Sequence, residues 1–99
     1  MSGYPYEVDF SEVRAKARGY FFDRDSTRFF KSTYPQTAWL AEDGSYYFVT
    51  GERFENLPRK YTVRRMNPDG TVDTVGEFQQ YYSRSAARRR ARECAILCI

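Results

Sequence analysis

Residues 61–78 read YTVRRMNPDGTVDTVGEF, a hairpin written in residue types. β-Branched and aromatic residues alternate with polar ones on both sides of NPDG, as in two half-buried strands around a tight turn. Pro68 presets the first central position of a type I turn, and Gly70 accepts the left-handed geometry that follows. With Met66 opposite Thr71, Arg64 falls opposite Asp73 and Lys60 opposite Glu77, so opposite charges pair across one face. The other face collects Tyr61, Val63, Val72 and Phe78, with Tyr61 beside Gly76. A slip of one residue would exchange the two faces.

Upstream, QTAWLA and SYYFVT flank the break EDG, and GERFENLP leads into the hairpin. Gly or Pro in each break marks a turn. The expectation is a four-stranded antiparallel sheet over 36–41, 45–50, 59–66 and 71–78. Residues 1–10 read as an extended arm around Pro5. Ser11 is placed to N-cap a short helix, SEVRAKAR, that Gly19 closes. Asp25 caps a second, with Phe29 and Phe30 turned inward, so short helices fill 11–33.

Downstream, a helix is expected over 83–98, starting at Ser83 or Ser85. Ala87, Ala91, Cys94, Ala95 and Cys98 repeat at i, i+4, i+7, i+8 and i+11, one buried stripe of small residues that lets a helix lie close on a sheet. Arg84, Arg88 and Arg92 run along one flank of it, and Arg89 and Arg90 fall elsewhere on its exposed side. The fold class is therefore α+β, with short N-terminal helices and one C-terminal helix packed on one sheet face.

The 99 residues, 41% apolar and 18% aromatic, suffice for one domain with a single modest core. Nine Tyr and eight Phe exclude a wholly disordered chain. Net charge is +3, unevenly placed: residues 1–56 hold 7 Lys and Arg against 9 Asp and Glu, and residues 57–99 hold 9 against 4. The halves therefore carry −2 and +5, a one-sided field that suits a polyanionic partner.

The sequence reads as a non-enzyme. It has no His, the commonest general base, and no nucleophile elbow, P-loop or cofactor glycine motif. Asp23/Asp25 and Glu42/Asp43 fit a cap and a turn better than a metal site. Cys94 and Cys98, four apart on a helix, would strain a disulfide and are too few for structural zinc, so they read as reduced thiols. No catalytic, cofactor or metal residue is assigned. No membrane span or signal peptide is legible, and the expected location is cytoplasmic.

Binding is the remaining class. Arginine forks donate two hydrogen bonds to a phosphate or carboxylate, and exposed tyrosines stack on bases. Arg84, Arg88, Arg89 and Arg92, with Lys60, Arg64 and Arg65, are the candidate backbone contacts; Tyr46, Tyr47, Tyr81 and Tyr82 are the candidate stacking residues. The same surface suits an acidic protein complex, because Arg and Tyr are frequent interface anchors. The end AILCI leaves part of the last turn apolar, which a homodimer or the N-terminal arm would cover.

From Arg59 to Glu93 the order of strand, tight turn, strand ending in GEF and Ala-spaced helix resembles the core of plant ethylene-response-type DNA-binding domains. It also resembles the arm-binding domains of some tyrosine recombinases. That resemblance implies a sheet laid into the major groove, with Lys60, Thr62 and Arg64 outward; Asp73 and Glu77 depart from it by partly neutralising that face. From FFDRDSTRFF through YYFVTGERF to the hairpin, the chain resembles small uncharacterised proteins of bacterial phages and mobile elements. This implies an accessory role within a bacterial host: nucleic-acid binding, or inhibition of a host defence complex in the manner of anti-CRISPR proteins.

Overall fold

The breaks EDG and NPDG build one turn twice. Ala41 and Ser45 close a three-residue loop, Glu42–Gly44, with Ala41 N–H donating to Ser45 O at 2.8 Å. Asn67 and Thr71 close Pro68–Gly70 the same way, again at 2.8 Å. Gly44 and Gly70 both take positive φ, 91° and 92°, the left-handed step that ends a three-residue hairpin loop. The preceding aspartates lock each turn: Asp43 Oδ1 accepts from Ser45 N–H and Asp69 Oδ1 from Thr71 N–H.

The computed structural model describes residues 3–16, 30–32, 37–52 and 57–97. In chain order these form β1 (Tyr6–Asp9), α1 (Phe10–Lys16), β2 (Phe30–Ser32), β3 (Thr37–Leu40), β4 (Tyr46–Glu52), β5 (Lys60–Met66), β6 (Val72–Val75) and α2 (Arg84–Leu97). The sheet is antiparallel and runs β1-β3-β4-β5-β6, five strands across; β2 pairs with the far end of β4, on the edge where β3 pairs with its start. The four expected strands and the C-terminal helix are present.

Three expectations are corrected. Tyr6–Asp9 is not an arm but an edge strand on β3, with Tyr6 opposite Leu40 and Asp9 opposite Thr37. Residues 30–32, assigned to helix, pair with β4 instead; the helix capped by Asp25 lies outside the described residues. The α1 cap is Asp9 rather than Ser11: its Oδ1 accepts from Ser11 N–H at 2.8 Å, so the helix begins two residues earlier than expected.

The hairpin register also differs by one. Met66 faces Val72, Arg65 faces Asp73, Arg64 faces Thr74 and Val63 faces Val75. The cause is the loop: the expected pairing leaves four residues in the turn, whereas Asn67 and Thr71 pair and leave three. Val72 therefore joins Met66 on the side away from α2. The second strand ends at Val75, before Gly76 and Phe78.

Both sheet faces are covered. On one, Ala87, Ala91, Cys94 and Ala95 of α2 pack on Trp39, Tyr47, Val49 and Val63. On the other, Phe10 and Val13 of α1 pack on Ala38, Tyr46, Phe48 and Met66. The apolar run YYFV in β4 is continuous rather than alternating because its two sides feed two cores.

Candidate nucleic-acid interface

The helix arginines divide by exposure and by the partners each one reaches. Ser83 caps α2, its Oγ accepting from Ala86 N–H at 3.4 Å, and the first turn carries no acidic residue. Arg84, Arg89 and Arg92 are exposed. Among the described residues, no carboxylate lies within ion-pairing distance of these three. Arg88, the middle of the expected row, is half-buried and turned to the sheet edge. Its guanidinium lies 5.3 Å from the Trp39 ring centre, donates to Thr37 Oγ1 at 3.1 Å and approaches Glu7 at 3.9 Å.

Arg64 and Arg65 of β5 are occupied inside the fold. Arg65 pairs with Asp43 at 3.0 Å, donates to Ser45 Oγ at 3.1 Å and lies over the Tyr47 ring, so it ties the second hairpin to the first turn. Arg64, expected on an open face, is 5% exposed. Its Nε donates to Thr50 Oγ1 at 3.1 Å, an Nη donates to Thr74 Oγ1, and Phe78 covers it. Thr62 is fully buried beneath the 76–80 loop, where Gln79 N–H donates to its hydroxyl at 2.8 Å. The strand face that would lie in a major groove is thus the face covered by α1 and this loop. Lys60, at the strand's end, is half-buried with its ammonium 5.0 Å from the Tyr82 ring centre.

The tyrosines separate in the same way. Tyr47 is buried in the α2 core and Tyr46 in the α1 core, where the Tyr46 hydroxyl donates to Glu12 at 2.9 Å and accepts from Lys16 at 2.7 Å. Both are removed from the candidate surface, because the continuous apolar run carrying them is buried on both sides. Tyr81 is half-buried and bridges Tyr61 through paired backbone hydrogen bonds. Of the four candidate tyrosines, Tyr82, 76% exposed, presents its ring to solvent. Phe78, 44% exposed, is a second presented ring, and it was not among the expected residues. Its signal was Gly76, a glycine inside a strand pattern, which marks a bulge.

The surface that results is one side of a helix with three available arginines, continuing into Tyr82. At the helix's other end, Ile96 and Leu97 are 51% and 60% exposed. Cys94 is a free, buried thiol; burial pushes its pKa up, only partly opposed by Arg90. No helix among the described residues is long and apolar enough to cross a membrane. No curated protein and no solved structure matches the chain. Residues 8–92, which hold every element from the α1 cap to most of α2, match the model of a family of unknown function, DUF7447, and the chain belongs to that family.

Proposed function

We propose that the protein is a non-enzymatic binding protein of a phage or mobile element, acting in the cytoplasm of a bacterial host, that engages nucleic acid through the outward side of α2. The observation that carries this reading is the contrast among arginines. Arg64, Arg65 and Arg88 are held by internal partners, whereas Arg84, Arg89 and Arg92 are exposed, with no carboxylate in reach among the described residues. An unpaired surface guanidinium contributes little to folding and is available for bidentate contact with phosphate.

The test is a salt titration of binding to a labelled duplex and a labelled single strand. Each lost phosphate contact lowers the slope of log affinity against log salt by roughly one unit. The triple variant Arg84→Ala/Arg89→Ala/Arg92→Ala should therefore bind with a slope smaller by about three. Full binding at an unchanged slope would remove the helix from the interface.

A second reading has its own observation. Ile96 and Leu97 continue the outward side of α2 with aliphatic surface, which phosphate cannot use and an acidic protein groove can. This supports direct inhibition of a host defence complex, in the anti-CRISPR manner. A pull-down from host lysate with and without nuclease separates the two: a protein partner retained after nuclease favours inhibition, and loss of all partners favours nucleic acid.

A further inference from the structure

The bulge after β6 builds a surface that the arginine reading does not use. Val63 pairs with Val75, yet Tyr61 pairs with Tyr81. Regular pairing would put residue 77 opposite Tyr61, so four extra residues are looped out. The loop folds back over β5. Gln79, at φ 57°, fastens it to Thr62, and Gln80 Oε1 accepts from Glu77 N–H at 3.0 Å.

Lys60, Thr62 and Arg64 are alternate residues on one side of β5, spaced by about 7 Å. The loop runs along this row and seats an aromatic ring near each of its cations. Phe78 lies 5.6 Å from the Arg64 guanidinium, and Tyr82 lies 5.0 Å from the Lys60 ammonium. Each ring is steadied by a cation while much of it faces water. Arg84 follows Tyr82 by two residues, so this patch runs directly into the arginine side of α2.

We propose that Tyr82 and Phe78 form a stacking platform for the bases of single-stranded nucleic acid, with Lys60 and Arg84 placed for its phosphates. This rests on the reading of α2 as a phosphate-binding helix and names the form of nucleic acid it takes. A duplex hides its base faces in the helical stack, whereas a single strand offers them. Exposed rings beside Lys60 and Arg84, which make no ion pair among the described residues, match a strand's two chemistries, planar bases and a phosphate chain. Glu77, the carboxylate of the loop, opposes the phosphates.

Fluorescence anisotropy with a labelled oligothymidylate of about 15 nucleotides, and with the same strand annealed to its complement, tests this. The strand should bind on the order of tenfold tighter than the duplex at equal salt. Tyr82→Ala should lose about tenfold on the strand and leave the duplex unchanged. Tyr82→Phe, which keeps the ring, should bind as the parent does, and Glu77→Gln should bind more tightly. The salt slope of Tyr82→Ala should equal the parent's, because no phosphate contact is removed. Equal binding of strand and duplex, with Tyr82→Ala indifferent, overturns the platform and leaves the arginine reading standing. No binding to either probe overturns both.

Discussion

Arg64 tests the division between structural and available arginines most directly. Arg64→Ala removes a guanidinium that donates to the buried Thr50 hydroxyl and to Thr74 and lies under Phe78. A hydrogen bond from a charged donor contributes about 1.5–3 kcal/mol. The truncation also leaves a void where the aliphatic stem was packed. Release of a buried charge offsets part of the loss, so a net cost of about 3 kcal/mol is expected. For a domain of this size, 1 kcal/mol moves the melting temperature by about 4–8 °C. Arg64→Ala should therefore melt about 12–24 °C below the parent. The triple variant at Arg84, Arg89 and Arg92 should stay within about 1 kcal/mol of it. Circular dichroism melting of the two variants is sufficient. If Arg64→Ala melts within a few degrees of the parent, Arg64 is not held in the interior and the sheet face returns as a binding surface.

Three further outcomes follow from the packing. Ala91→Glu places a carboxylate on the fully buried contact between α2 and the sheet, and should cost on the order of 3 kcal/mol or more; an unchanged melting curve would show that α2 packs elsewhere. Hydrogen bonds from Ser11 hold the Asp9 carboxyl below its ordinary pKa. Its contribution is therefore present above the usual Asp pKa near 3.9 and is lost as pH falls through the lowered value. Asp9→Asn should flatten the acid limb of stability against pH, and an acid limb identical to the parent's would place the effect on other carboxylates. Leu97→Asp should abolish any concentration-dependent association in light scattering; a parent that is monomeric at all concentrations leaves the exposed last turn to a different partner.

How much of the fold was legible depended on how far apart the determining residues lie. The α2 stripe is local: Ala87, Ala91, Cys94 and Ala95 share a face by helical geometry alone, and all four are buried. The strands also showed, because β-branched and aromatic runs broken by Gly and Pro are local signals. β1 and β2 did not show. YEVD and FKS are too short to display a period, and each is a strand only because β3 or β4 offers an edge to it. The register slip came from a loop length: NPDG fits either three or four unpaired residues, and that one residue decides which side of the sheet Val72 takes. The continuous run YYFV did carry the second core, since an unbroken apolar strand implies cover on both faces.

The candidate site was legible only where helix geometry sets exposure. Arg64 and Arg65 were expected to be open because alternation identifies a side of the sheet, not whether something distant covers it. Arg65 is neutralised by Asp43, 22 residues earlier, and Arg88 is drawn to Thr37, 51 residues earlier. Arg64 lies under a loop whose path depends on a four-residue bulge. Among the described arginines, those left exposed are Arg84, Arg89 and Arg92 of α2. Eight residues of helix between Arg84 and Arg92 advance about 12 Å, against about 3.4 Å of axis per phosphate on one strand of a duplex. On the proposed reading, three arginines over that length would span a few consecutive phosphates of one strand. This geometry sets the helix apart from a sheet laid in a groove, where contacts spread across both strands.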